Sequence, residues 1–321
     1  MSLNKFCLVI DASCDVPEAV LSHPQVRVLP VNVFVNEKQV LDRREAAVTQ
    51  RFYREALNSP KAVHGRSEPM STDDMVAALN SQLALNFDQL LGVFVASSRS
   101  AIYQRAKTAI SVARREAFAL RARAGNLEVL QADCVDSQAF FAGYGAQVMD
   151  LIDWLDKGAG IGDIIARQRV TVTQTYAYMA PGHVGYILER AALKGEQSVS
   201  TMAGLAAKAL SITPILAGHM GVTAPVGRRL GKLKAREAVV EMGLRMIKNG
   251  LLLSQHMCFS YSGELSDIQS MNSFKYLQSY AKDNGVQLHL TCMSMTGSVN
   301  VGPEALVMGV LAKPHQVDDL L

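Results

Sequence analysis

The stretch that decides the fold is LLGVFVASSRSAIYQRAKTAISVARREAFALRARAG, residues 90–125. Its first six residues are an apolar run of the kind that parallel sheets bury on both faces, so they predict a strand. From Ala101 onward, apolar residues recur at helical spacing, and Gly125 provides a natural stop after the last turn. The stretch therefore predicts a buried strand, a serine-rich turn and a long amphipathic helix with Ser100 as its N-cap.

The predicted turn carries Ser97, Ser98 and Ser100, with Arg99 among them. In open α/β sheets, ligands bind beyond the carboxyl ends of the strands. The start of the following helix offers free backbone N–H groups and a partial positive charge, so added hydroxyl groups suit a carboxylate or a phosphate. A simpler interpretation stays open, in which Ser100 caps the helix and the other serines only turn the chain.

The composition indicates a soluble, folded chain. With 321 residues, of which 49% are apolar and 19% charged, the chain is long enough for two domains and too apolar for disorder. A net charge of +3 is too small to indicate nucleic-acid binding. No segment approaches membrane-spanning length. The five cysteines form no C-x-x-C pair, which favours a reduced, cytoplasmic setting without a zinc site.

The first half of the chain alternates apolar runs with amphipathic segments. Asp15 is a candidate cap for a helix that begins at Val16, and Ser71 or Thr72 is a plausible N-cap for the helix at residues 73–85. Pro30 predicts either an edge strand or a break in the second extended segment. Residues 63–71 are predicted to form a polar loop. This alternation predicts a parallel sheet covered by helices. The predicted strands outside the central stretch are 6–10, 26–35 and 127–131, and the predicted helices are 47–57, 73–85 and 138–157.

The second half has a different pattern, and it follows a glycine-rich hinge at residues 158–162. A hairpin is predicted around His219, Met220 and Gly221, between two short apolar runs. The fold class is therefore α/β with two domains: an N-terminal parallel-sheet, Rossmann-like domain (1–158) and a C-terminal α+β domain (159–321), with a ligand cleft between them. The predicted strands are 170–178, 214–226 (as the hairpin), 252–259 and 286–292, and the predicted helices are 184–193, 201–210, 231–248 and 264–282.

Sequence motifs of catalysis are missing. There is no G-x-S-x-G elbow, Walker A loop, H-E-x-x-H motif or Rossmann glycine triplet, and the histidines show no ligand spacing. The sequence thus predicts a binding protein without catalytic residues, metal or cofactor. One alternative is an enzyme for a small anionic substrate, in which Asp11, Asp133 and Asp136 converge on the serine turn. Another is a protein that docks a partner through the basic residues 228–236, which are otherwise a solvated face.

Taken together, several motifs resemble the DegV family of bacterial lipid-binding proteins, in order along nearly the whole chain. The segment Ile10-Asp-Ala-Ser-Cys-Asp-Val-Pro17 is similar to that family's opening D-S-[ST]-[CA]-D-L-P. The other matching segments are residues 29–33 (LPVNV, for V-P-L-x-V), 66–71 (RSEPMS, for T-S-Q-P-S), 96–104 (ASSRSAIYQ, for S-S-x-L-S-G-T-Y-Q), 212–216 (ITPIL, for I-K-P-I-L) and 300–304 (NVGPE, for H-T-G-P-G).

This resemblance implies a fatty acid held between the two domains, with its acyl chain buried. It also implies that the carboxylate meets hydroxyl groups of the loop at residues 66–71 and of the serine turn. In this family the bound fatty acid can be presented to a separate kinase that makes an acyl phosphate, so the DegV-like chain itself performs no chemistry. We therefore expect a fatty acid or related amphiphile as ligand and a fatty-acid kinase subunit as partner.

The chain departs from the family pattern at several of the implied site positions. Arg66 stands where the family has threonine, and its guanidinium group could hold a carboxylate bidentately if it points inward. Asn300 stands at the closing histidine, and Gln197 at the arginine of K-G-G-R-I, which weakens the expectation of a kinase partner. The predicted ligand-binding residues are Arg66, Ser67, Ser97, Ser98, Ser100 and Asn300.

Overall fold

The computed structural model describes residues 5–35, 38–57, 65–193 and 212–321. The first layer is a four-stranded parallel sheet built from β1 (Phe6–Asp11), β2 (Val26–Leu29), β6 (Gln89–Phe94) and β7 (Gln131–Asp136). The strands lie in the order β2-β1-β6-β7. All six residues of β1 are buried, as expected for an inner strand covered on both faces.

The second layer is a six-stranded mixed sheet in the C-terminal half. It contains β8 (Thr175–Ala180), β9 (Ile212–His219), β10 (Val222–Leu230), β11 (Leu252–Tyr261), β12 (Gln287–Cys292) and β13 (Leu306–Ala312). Their order is β10-β9-β8-β13-β11-β12, with β11 and β12 parallel and the other neighbours antiparallel. A parallel sheet followed by a mixed sheet confirms the predicted fold class.

A small antiparallel sheet stands apart from these two. It consists of β3 (Val31–Val35), β4 (Lys38–Asp42) and β5 (Arg66–Pro69), with β3 in the centre. A break at Pro30 separates β2 from β3, which is one of the two alternatives that the sequence predicted. The prediction of a loop at residues 63–71 is wrong for β5, because strand pairing with β3 orders a segment that has no apolar alternation of its own.

Helices cover the sheets. They are α1 (Glu18–Leu21), α2 (Ala46–Phe52, continued by a π turn at Tyr53–Leu57), α3 (Thr72–Gln82), α4 (Ile102–Arg123), α5 (Phe141–Asp156), α6 (Ile161–Gln174), α7 (Val184–Leu193), α8 (Lys232–Lys248), α9 (Leu265–Gln269), α10 (Asn272–Asp283) and α11 (Met295–Val301). Ser71 caps α3, since its Oγ accepts from the Asp74 amide at 3.1 Å. In the described ranges, no helix is long and apolar enough to cross a membrane.

Three sequence predictions need correction. Residues 170–174 belong to α6 and not to a strand, because their buried positions continue the helical spacing from Ile164 and Gln168. The strand predicted at 127–131 begins only at Gln131, and Leu127 is 75% exposed. Asp15 does not cap α1; it is buried and accepts from the Ser294 amide at 2.8 Å. The helix predicted at 201–210 lies outside the described residues.

Helix α5 lies between the two large sheets. At Gly309 of β13 a Cβ atom would lie 2.1 Å from the carbonyl oxygen of Ala142, so glycine is required for this backbone-to-backbone approach. The main hydrophobic core likewise continues from β1 to Met179, Leu216 and Val307 of the mixed sheet. The assignment of 1–158 and 159–321 to separate domains stays a prediction.

Candidate ligand-binding site

A cavity of about 480 Å³ opens beyond the carboxyl ends of β1 and β6, and the mixed sheet closes its other side. This volume falls in the usual range for small-molecule sites. Much of its wall is apolar, and strands and helices of both layers contribute to it. Its large apolar residues include Phe140, Phe141, Met179, Ile187, Leu216 and Val301.

The serine turn forms one edge of the cavity and is attached there to the β9–β10 hairpin. The Ser98 hydroxyl donates to the Gly221 carbonyl at 2.8 Å, and Arg99 Nη2 donates to Thr223 Oγ1 at 2.6 Å. The hairpin tip has positive φ at Met220 (47°) and Gly221 (76°), as a type I′ turn requires. The predicted hairpin is confirmed, and it fixes the position of the turn.

The hydroxyl groups at this edge differ in whether they still have a proton to donate to a ligand. The proton of Ser98 is used by Gly221. Ser100 Oγ accepts from the Ile102 amide at 3.3 Å, and Ser67 Oγ accepts from Asn300 Nδ2 at 3.0 Å, so both retain an O–H to donate. The predicted cap is displaced by one position, because Ala101 is the N-cap residue of α4.

Two residues of the predicted set lie away from the cavity wall. Ser97 is exposed, and its amide donates to Asp136 Oδ1 at 3.1 Å. The Arg66 side chain is 55% exposed and donates to Glu68 at 2.8 Å. Its guanidinium carbon lies 4.1 Å from the ring centroid of Phe34. The structure thus brings Ser67, Ser98, Ser100 and Asn300 together and places the other two outside them.

Asn300 of α11 lines the cavity and is hydrogen-bonded to Ser67 of β5. Its Nδ2 donates to the Thr296 carbonyl at 2.7 Å as well as to Ser67. A carbonyl can only accept, so this contact fixes the amide orientation. Its Oδ1 atom is buried and has no donor among the described residues. Asn300 therefore lines the cavity, and its amide oxygen is an acceptor that no described residue satisfies.

Arg190, which also lines the cavity, was not predicted from the sequence. It lies on the buried face of α7, four residues after Tyr186 and three after Ile187. That spacing is a signal that sequence reasoning could have used, since a cation at core spacing needs a partner. Burial lowers the pKa of Arg190 from its ordinary value.

The aspartates of the enzyme hypothesis do not converge on the cavity. The Asp11 carboxylate accepts from the Val95 amide at 2.8 Å and from the amide and hydroxyl of Ser13, while burial raises its pKa. Asp136 accepts from the Ser97 and Gln138 amides. Asp133 lies at a separate surface depression. Asp11 and Asp136 therefore organise loop backbone around the site.

The basic segment at the start of α8 is partly neutralised within the chain. Lys232 and Arg236 both form ion pairs with Glu304. Arg229 donates to the Leu321 carbonyl at 3.0 Å. These contacts reduce the charge that the segment could offer to an anionic partner.

Comparisons with known proteins agree with the fold. A DegV domain-containing protein of Xanthomonas axonopodis pv. citri is 29% identical over 308 residues, which cover 96% of this chain and 98% of the relative. Similar solved structures include two that each have a TM-score of 0.71. One is a DegV family protein of Ruminococcus gnavus with vaccenic acid, at 11% identity and covering 96% of this chain and 99% of that one. The other is DegV of Bacillus subtilis, described as a fatty acid binding protein, at 15% identity and covering 97% and 100%.

The family model described as "Uncharacterised protein, DegV family" matches residues 5–313. That range includes both large sheets and every element that lines the cavity. The chain therefore belongs to the DegV family.

Proposed function

We propose that this protein is a cytoplasmic carrier that binds a long-chain fatty acid in the cavity between its two large sheets. The observation that carries the proposal is the cavity of about 480 Å³, whose wall is largely apolar and whose unused hydroxyl donors gather at one edge. An amphiphile with a carboxylate head has the matching distribution of polarity. The descriptions of the two related structures, which name vaccenic acid and fatty acid binding, support the same ligand class.

The energetics favour a long alkyl chain. Each buried CH₂ group contributes about 0.8 kcal/mol, so the tail supplies most of the affinity. The O–H groups of Ser67 and Ser100 would donate to the carboxylate, and the Ser98 side chain would hold the turn against the hairpin. In this proposal Arg66 and Ser97 contribute to the surface around the site and make no contact with the head group.

Binding to delipidated protein tests the proposal. We expect palmitate and oleate to bind with one molecule per chain, as counted by native mass spectrometry. Ile187→Trp, which fills the cavity from α7, should abolish uptake, whereas Leu230→Trp, at a position 63% exposed, should not. Failure of the unsubstituted protein to take up either acid would refute the proposal.

We further propose that the chain acts as a carrier and not as an enzyme, and that it presents its bound acid to a separate fatty-acid kinase. The resemblance to the family motifs supports this step, while Asn300 and Gln197 stand where the family has histidine and arginine. The test is transfer of labelled phosphate from ATP to the bound acid, with a kinase subunit of the same organism present or omitted. Acyl phosphate that forms without the kinase would refute the carrier role.

A further inference from the structure

Helix α7 brings an arginine to the wall of the cavity. Arg190 is only 7% exposed, and its Nε atom is buried without a hydrogen-bond partner. Within the described ranges, no carboxylate forms an ion pair with its guanidinium group. The protein therefore buries a positive charge that its described residues do not neutralise.

The other buried arginines of the described chain show how unusual this is. A buried charge is costly unless a counter-charge and hydrogen bonds compensate it, and each of the others has a carboxylate partner. These pairs are Arg44 with Asp15 (3.3 Å), Arg121 with Asp88 (2.8 Å) and Arg236 with Glu304 (2.8 Å).

The electrostatic effect of a partner is visible in the comparison with Arg44. Asp15 and Asp42 raise the pKa of Arg44 above its ordinary value, although Arg44 is buried to the same extent as Arg190. Burial has the opposite result at Arg190, whose pKa is lowered because no carboxylate opposes it. An anion that enters the cavity would raise the pKa of Arg190, as the carboxylates do for Arg44.

The neighbouring helix α11 carries another buried polar atom without a hydrogen-bond partner among the described residues. The Tyr186 hydroxyl, one turn before Arg190, donates to the Val299 carbonyl of α11 at 2.9 Å. The next residue of α11 is Asn300, with its buried and unpartnered Oδ1. Arg190 and Asn300, on two adjacent helices, thus line the same cavity, and of these two side chains only the guanidinium group carries a charge that an anion can neutralise.

We propose that Arg190 is the counter-ion of the ligand's anionic head group, and that it makes the cavity selective for carboxylate amphiphiles over neutral ones of equal length. The planar guanidinium group can bind a carboxylate through two parallel hydrogen bonds. This inference rests on the proposed function, because it concerns the same cavity.

The experiment compares palmitate with hexadecanol, which has the same chain length and no charge. Dissociation constants are measured with radiolabelled ligand on delipidated protein for the unsubstituted chain, Arg190→Gln, Arg190→Lys and Arg66→Gln. We expect Arg190→Gln to weaken palmitate binding at least tenfold and to leave hexadecanol binding unchanged. Arg190→Lys, which keeps the charge but not the bidentate geometry, should lose less palmitate affinity than Arg190→Gln. Arg66→Gln, which alters an exposed arginine, should retain all of the affinity.

Thermal unfolding separates this role from a structural one. Without ligand, Arg190→Gln should melt at or above the temperature of the unsubstituted protein, because it removes an uncompensated buried charge. Equal palmitate affinity in Arg190→Gln, or equal losses for palmitate and hexadecanol, would overturn the assignment. If the unsubstituted protein binds neither ligand, the proposed function itself fails and the assignment fails with it.

Discussion

Single hydroxyl protons decide which serines of the turn can hold a carboxylate. Ser98 and Ser100 are two residues apart, but the Ser98 proton is donated to the Gly221 carbonyl, while Ser100 only accepts from the Ile102 amide. A carboxylate accepts hydrogen bonds and cannot donate them. Ser100 is therefore the serine of the turn suited to a ligand head group, and Ser67 of β5 is the other serine of the cavity edge that retains a proton to donate.

Substitution of Ser100 tests this distinction. A hydrogen bond to a charged group contributes about 1.5–3 kcal/mol, so Ser100→Ala should weaken palmitate binding by about 10- to 100-fold. Ser97→Ala is the matched control, since Ser97 is exposed and does not line the cavity. Equal affinities of the two variants in a titration would contradict the role of Ser100.

At the scale of elements, the parallel pairing of β11 with β12 brings two histidines together. His256 Nδ1 lies 3.0 Å from His289 Nε2, and His256 Nε2 lies 3.0 Å from Asp153 Oδ2. Burial, with a smaller contribution from His256, lowers the pKa of His289 from 6.5 to about 4. The folded chain therefore holds His289 neutral over a range in which the unfolded chain protonates it.

This pairing predicts a loss of stability in acid. Between pH 6.5 and about 4 the unfolded state binds more protons at His289, so the free energy of unfolding decreases as the pH falls. Between pH 7 and pH 5, the melting temperature of His289→Gln should fall less than that of the unsubstituted protein. His183→Gln, at an exposed position, serves as the control and should behave like the unsubstituted protein. An unchanged loss in His289→Gln would refute this prediction.

Helices and strands were predicted best from the sequence where an apolar pattern and a stop signal agreed. Residues 90–125 gave β6, the turn and α4 almost to the residue, and 184–193 gave α7. The pattern failed where pairing partners decide the structure, as in β5, whose order comes from β3. The motifs predicted four residues that line the cavity. The outward direction of Arg66, and the lack of a carboxylate partner for Arg190 among the described residues, depend on packing between distant elements, which the motifs do not show.

At the scale of the whole molecule, the cavity draws on both sheets, so ligand binding should stabilise the fold as one unit. Each added CH₂ contributes about 0.8 kcal/mol, equivalent to about a fourfold gain in affinity. Lauric, myristic and palmitic acids should therefore raise the melting temperature in that order at equal concentration. Denaturation followed by circular dichroism measures this, and a flat response to chain length would place the tail outside the cavity.

The contact between Gly309 and Ala142 limits the length of the acid that the cavity can hold. Because the β13 backbone touches the first turn of α5 beside Phe140 and Phe141, the part of the cavity wall that these two rings form cannot recede without separating the two layers. The protein should thus behave as a molecular ruler. Affinity would climb with each carbon up to the depth of the compartment and then drop abruptly at the first acid that is one methylene too long.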